Sequence, residues 1–292
     1  MEWETGENER ARVLLLRARE RATTDRVFMK SAILERECKN FEEALKLIEE
    51  GIREFPSFEK FYMMGGQISK DDINDTERAR SFFQRGLRAC PKSIVLWILA
   101  SELEERMNVV KARSIFDLSR LKNPQSPMLW VHAVRLERRV GNEKLAFSLM
   151  AKALQECPNS GLLRAEAIKI AARPEKKARC ADAIKRCPDD PLIITAVASL
   201  FATERKYEKA RKWLERAVAL NADLGDSWAH YLAFEYAFGT VESQERIIKR
   251  CVKAEPKHGE LWCKVAKNMA NRKMKIDEIL ILVARGIEFK SK

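Results

Sequence analysis

Helix-breaking residues are scarce here: 292 residues hold only 11 glycines and 9 prolines. So few turn formers exclude a collagen-like chain or a Pro/Gly-rich disordered one, and they leave room only for short connections. Long apolar runs are missing as well. The longest, Ile94 to Ala100 and Leu192 to Ala198 (broken by Thr195), fall short of the roughly 20 residues that a membrane-spanning helix requires, so no membrane span is expected. None of the seven cysteines forms a CxxC pair. The opening Met1-Glu2-Trp3-Glu4 is acidic where a secretory signal would be basic and then apolar. Both features imply reduced thiols in the cytosol or nucleus. What is abundant is a helix-forming mixture, 46% hydrophobic and 34% charged, with 55 Lys and Arg against 43 Asp and Glu for a net charge of +12. That balance predicts an all-α chain of many briefly joined helices.

A repeat runs through the chain. A proline is followed six residues later by a large aromatic at Pro56 and Tyr62, Pro91 and Trp97, Pro124 and Trp130, and Pro256 and Trp262. Phe28 follows Ala22, and Trp228 follows Ala222, at the same distance. Continuing the register through Pro158 and Pro188 puts Arg164 and Ile194 at the anchor position, and successive anchors are then 34, 35, 33, 34, 30, 34 and 34 residues apart. Twelve residues before the proline position lies a small residue expected to open a helix: Ala44, Ala79, Ala112, Ala146 and Ala210. Seven further on comes another, at Gly51, Gly86, Ser119, Ala153 and Ala217, so each such helix carries a flat stripe that a neighbour can approach closely. Leu96, Trp97, Ala100 and Leu103 share one helical face, as do Ala112, Ile115, Phe116 and Ser119. Proline ends one helix and the polar residues after it cap the next, as in Cys90-Pro91-Lys92-Ser93, Cys157-Pro158-Asn159-Ser160 and Cys187-Pro188-Asp189-Asp190. A unit of two short helices cannot bury a core alone, so the fold expected is an α-solenoid of stacked antiparallel helix pairs. Residues 1–292 are expected to form a single array of about eight units. Residue 1 opens inside a repeat, which suggests a fragment of a longer protein.

The anchor is followed at +3 by a small or aromatic residue and at +7 by glutamate: Trp97, Ala100, Glu104; Trp130, Ala133, Glu137; Trp228, Tyr231, Glu235; Phe28, Ser31, Glu35. The second helix carries Ala-Arg at Ala79-Arg80, Ala112-Arg113 and Ala210-Arg211. This pattern resembles the half-a-tetratricopeptide (HAT) repeat of RNA-processing proteins, over essentially the whole chain. Ser119 to Pro124, Leu149 to Gly161 and Ala254 to Trp262 are similar to the C-terminal repeats of the pre-mRNA-processing factor six family. The resemblance implies a nuclear, non-catalytic scaffold of mRNA splicing that bridges small nuclear ribonucleoproteins in the tri-snRNP. Its partners would be spliceosomal proteins. Departures fall at Arg164 in place of an aromatic, at Ala171 and Ser69 in place of glutamate, and at the interval of 30 between 164 and 194.

Phe28, Tyr62, Trp97, Trp130, Trp228 and Trp262 could in principle stack on bases. Recurrence once per unit at one position favours core filling instead. Glu104, Glu137 and Glu235 are placed to pair with an arginine on a facing second helix, such as Arg113 or Arg211, and a carboxylate repeated in every unit is unsuited to general-acid work. Cys90, Cys157 and Cys187 directly precede the repeat proline, which is expected of small buried residues, and no Cys or His pairs have the short spacing of a zinc site. His132 and His230 each sit two residues after a repeat tryptophan, and His258 lies in a turn. No nucleophile, base and orienter can be assembled, Gly65-Gly66 lacks the Lys-Ser/Thr of a phosphate loop, and neither cofactor nor metal is expected.

Charge is unevenly spread. Residues 31 to 60 carry a local −3. Residues 160 to 187, with Arg164, Lys169, Arg173, Lys176, Lys177, Arg179, Lys185 and Arg186, carry +5 around the irregular fifth unit. Lys169, Arg173, Lys176, Lys177 and Arg179 are therefore candidate partner-binding residues, with Arg135, Arg138 and Arg139 as a second cluster. Three functions follow: a protein-binding scaffold, an RNA-binding module acting through 160 to 187, or an enzyme, for which no site is found. Self-association through apolar ends of the array is a further expectation.

Overall fold

The computed structural model describes residues 7–289. The acidic opening segment Met1 to Glu4, compared above with a secretory signal, lies outside them. The described residues form α1 (Asn8–Arg21), α2 (Asp25–Glu37), α3 (Phe41–Glu54), α4 (Glu59–Gln67), a π-helical turn (Ile68–Asp72), α5 (Thr76–Ala89), α6 (Ile94–Glu105), α7 (Val109–Lys122) and α8 (Pro127–Arg139). They continue through α9 (Glu143–Glu156), α10 (Gly161–Ile170), α11 (Arg173–Arg186), α12 (Pro191–Thr203), α13 (Tyr207–Leu220), α14 (Gly225–Phe238), α15 (Val241–Ala254), α16 (Glu260–Ala266), a 3-10 turn (Met269–Asn271) and α17 (Ile276–Arg285). Among the described residues no strand forms; Leu224 and His258 make an isolated parallel bridge. The fold is all-α and of the solenoid class, built from antiparallel helix pairs. Among the described residues no helix is long and apolar enough to cross a membrane.

The chain divides within α9 into two compact units, Met1–Leu149 and Met150–Lys292. In the first, α2 packs on α3, α4 on α5 and α6 on α7, and each pair leans on the next through α3 with α4, α5 with α6 and α7 with α8. In the second, α10 packs on α11, α12 on α13 and α14 on α15, while α10, α12 and α14 also line up side by side and α17 closes against α14, α15 and α16. The cores follow this order. One buried cluster in the first unit joins Phe28, Leu45, Phe61, Tyr62, Phe83 and Leu96, and one in the second joins Leu214, Trp228, Tyr231, Phe234, Trp262 and Leu280.

Local chemistry explains where helices start. Ser93 accepts from the Leu96 N–H at 3.5 Å, Ser160 from Leu163 at 3.3 Å, and Asp190 from Leu192 at 2.8 Å, so the polar residues after the repeat proline cap α6, α10 and α12, whereas α4, α8, α14 and α16 start without a side-chain cap from their N-cap residue. Asp75 and Asn108 cap α5 and α7 in the same way. The small residue twelve before the proline position does not open its helix. Ala44, Ala79, Ala112, Ala146 and Ala210 are each the fourth helical residue, because an upstream residue occupies the cap and the small side chain is used one turn later, where the neighbouring helix presses in. Turns within pairs pass through left-handed backbone at Lys39 (φ 61), Asn74 (φ 63), Gly141 (φ 85) and Arg205 (φ 60).

One further expectation is corrected. Cys90, Cys157 and Cys187 are only half-buried. Cys90 and Cys187 end their helices, so their side chains lie over the turn; their thiols reach the Ser57 and Asn159 carbonyl oxygens at 3.3 and 3.6 Å. The buried thiols are Cys180 and Cys251, pushed by burial up to about 11 and about 12. The interval of 30 arises because α10 has 10 residues and only Ala171 and Ala172 separate it from α11.

Candidate functional site

The anchor side chains lie in the core: Phe28, Tyr62, Trp97, Trp130, Trp228 and Trp262 are all buried. Three of them also make a directed bond. Tyr62 Oη donates to the Pro56 carbonyl at 2.9 Å, Trp97 Nε1 to Pro91 at 2.8 Å, and Trp228 Nε1 to Ala222 at 2.8 Å, each six residues back. The ring thus fills the core while its polar end ties the helix to the loop that precedes it. Arg164 does the same with a guanidinium. It is 7% exposed, and its Nε and Nη2 donate to the Pro158 carbonyl at 3.1 and 2.6 Å while Nη1 pairs with Asp182 at 2.6 Å. The position read as a defect of the repeat therefore keeps the anchor's bond with a different side chain. Trp130 Nε1 is buried without an acceptor, and the Arg120 guanidinium lies 4.5 Å from its ring centroid.

The +7 glutamates are buried and paired, each with an arginine of the preceding second helix. Arg113 Nε and Nη2 meet Glu137 Oε1 and Oε2 at 2.7 and 2.8 Å. Arg211 reaches Glu235 at 2.6 and 3.3 Å, Arg12 reaches Glu35 at 2.7 and 2.9 Å, and Arg80 holds Glu104. The carboxylate also bonds within its own pair: Asn40 Nδ2 to Glu35 at 3.0 Å, Asn142 Nδ2 to Glu137 at 3.1 Å, Ser243 Oγ to Glu235 at 2.7 Å. Each clamp fixes one pair's internal turn to the helix before it. The Arg113 hydrogen bond holds the Glu137 carboxyl below its usual range, against the burial that would raise it. Where the register puts Ser69 and Ala171 at the glutamate position, the arginine position is likewise lost, to Leu45 and Phe147.

The candidate partner-binding cations separate by surroundings. Arg139 Nε and Nη2 bond Glu105 at 2.6 and 2.7 Å, Arg138 lies 3.9 Å from Glu143, and Arg135 is half-buried and engaged. These belong to the first unit. In the second, Lys177 meets Glu204 at 3.0 Å, Arg179 meets Glu175 at 3.0 Å and Arg186 meets Asp182 at 3.2 Å. With Arg164 buried, half of the eight cations counted between 160 and 187 are tied down. Lys169 and Arg173 are exposed and Lys176 half-buried; these three have no ion-pair partner among the described residues. They sit on the last turn of α10 and the first turn of α11.

A larger concentration escaped the sequence reading. Residues 246–275 hold ten Lys and Arg against Glu255 and Glu260 alone, and a count over this window would have found it. Among the described residues no group of three or more His, Cys, Asp or Glu side chains is placed to hold a metal ion.

Residues 58–280 match the family described as PRP6, TPR-like domain. The chain belongs to the PRP6 family. Over 117 residues, 40% of this chain and 12% of its own length, "Pre-mRNA-processing factor 6" of Homo sapiens is 50% identical. "Pre-mRNA-splicing factor prp1" of Schizosaccharomyces pombe is 38% identical over 97% of this chain and 31% of its own length, and "Protein STABILIZED1" of Arabidopsis thaliana 45% identical over 96% and 27%. The chain thus spans between about an eighth and a third of the length of these curated relatives. The PRP6 match takes in seven of the eight anchors, Arg164 among them, and the clamps at Glu104, Glu137 and Glu235.

Proposed function

We propose that this chain is a non-catalytic scaffold of pre-mRNA splicing, acting in the nucleus, that joins small nuclear ribonucleoproteins into the tri-snRNP through protein contacts. Its membership of the PRP6 family, whose relatives are named as pre-mRNA processing and splicing factors, carries the reading. The helix pairs suit it, because stacked pairs offer long surfaces and not a single pocket. About eight such pairs forming one array is part of the proposal. RNA binding through residues 160 to 187 has less support, since Arg164, Lys177, Arg179 and Arg186 already have acidic partners. Self-association through apolar surface is supported by α1, where Val13, Leu14 and Leu16 are exposed; sedimentation showing only monomer at high concentration contradicts it. The main reading is tested by adding excess purified chain to a splicing extract. A scaffold segment competes for its partners, so tri-snRNP assembly is expected to fall as the chain is titrated in. Assembly unchanged at saturating chain overturns the reading.

A further inference from the structure

Turns inside the helix pairs of the second unit are short: residues 171–172 after α10, 204–206 after α12 and 239–240 after α14. The turn after α16 is different. It runs over residues 267–275 and carries Lys267, Arg272, Lys273 and Lys275 with no acidic residue. It is also well held. Asn268 Oδ1 accepts from the Ala270 N–H at 3.0 Å, Asn271 Nδ2 donates to the Val265 carbonyl at 3.1 Å, and Met274 packs against the core. The apolar side chains turn inward and the cations outward: Lys267, Lys273 and Lys275 are exposed and form no ion pair among the described residues. Two of them stand against the local field. Lys273 and Lys275 precede the N-terminus of α17, whose dipole is positive there and favours acidic side chains, as Asp277 and Glu278 in its first turn illustrate. The Glu278 carboxylate accepts the Lys275 backbone N–H at 2.8 Å and makes no ion pair with the Lys275 ammonium among the described residues. Folding gains little from cations in these places, whereas a polyanion would gain from them.

We infer that the 267–275 turn is a contact for the phosphate backbone of single-stranded RNA, independent of base sequence. Lysines on a fixed turn supply point charges for phosphates. A protein partner would need a desolvated apolar or aromatic anchor beside them. The apolar side chains nearby face inward: Trp262 is buried, and Met269 and Met274 are half-buried. The inference goes beyond the scaffold reading and does not depend on which proteins the scaffold joins.

The test is fluorescence anisotropy of the full chain with a labelled single-stranded oligouridylate across a range of salt concentrations. The Lys267→Glu/Lys273→Glu/Lys275→Glu variant is compared with Lys176→Glu/Lys177→Glu, both checked by thermal melting. If the glutamate triple melts lower, the glutamine triple replaces it. The turn variant is expected to bind at least about tenfold more weakly and to lose about 2 from the slope of log K against log salt, as removing three single-strand phosphate contacts requires. The α11 variant is expected to keep most of the binding. Unchanged affinity in the turn variant, or loss confined to the α11 variant, overturns the inference. So does a polyglutamate peptide that binds the turn more tightly than the RNA, since that assigns it to an acidic protein.

Discussion

The anchor residue fills the core with its body and returns its polar end to the carbonyl six residues back. Trp97→Ala removes both contributions and is expected to lower stability by about 3–5 kcal/mol, measured by chemical denaturation. A silent Trp97→Ala would put the ring outside the core. Gly66 gives a sharper check, because its sign is unusual. Alanine normally improves a helix over glycine by about 0.5–1 kcal/mol. A Cβ at Gly66 would lie 2.2 Å from Phe83 Cε1, in a ring that is 2% exposed and has nowhere to move. Gly66→Ala is therefore expected to destabilise by about 1–3 kcal/mol, and a stabilised variant would contradict the close approach of α4 and α5. At this scale the sequence was legible where a residue kept its type and not where it kept only its bond. Arg164 looked like a broken anchor because hydrophobic pattern cannot show that a guanidinium reaches the Pro158 carbonyl as an indole does. The prolyl-flanking cysteines were misread for a related reason: a helix-ending backbone, not side-chain size, sets their exposure.

Helix pairs were legible in the Ala-Arg and +7 glutamate spacings; the direction of the clamps was visible only in the fold. Arg80, Arg113 and Arg211 each reach forward to the glutamate of the following first helix, 24 residues on. Arg113→Ala leaves the Glu137 carboxylate buried with Asn142 as its remaining hydrogen-bond partner. Because the guanidinium is about one-third exposed, the expected loss is about 2–3 kcal/mol, below the 3–5 typical when a fully buried pair is broken. Its pH dependence has a definite sign. The folded-state pKa of Glu137 is held below its ordinary 4.5, so the clamp's contribution is complete above that value and is lost as pH falls through the depressed one. The melting temperature of Glu137→Gln is accordingly expected to fall less on acidification below about pH 5 than that of the parent. Parallel curves would mean that the carboxylate is not held by Arg113.

Over the whole chain the net charge of +12 resolves into separate regions. The stretch 31–60 is acidic, 160–187 is basic but half paired, and 246–275 is more basic still, with an extended turn after α16. The repeat length and the family could be read from the sequence, since anchors recur at nearly constant spacing and stretches such as Leu149 to Gly161 are distinctive. Which charges remain open to a partner could not be read, because pairing joins residues such as Lys177 and Glu204 that lie far apart in the chain. The most direct test of the scaffold reading is affinity purification of the tagged chain from nuclear extract, with bound proteins quantified against a Trp97→Ala/Trp130→Ala control. A splicing scaffold is expected to retain tri-snRNP proteins, and the control to lose them. An eluate without splicing components, or one unchanged in the control, would contradict it.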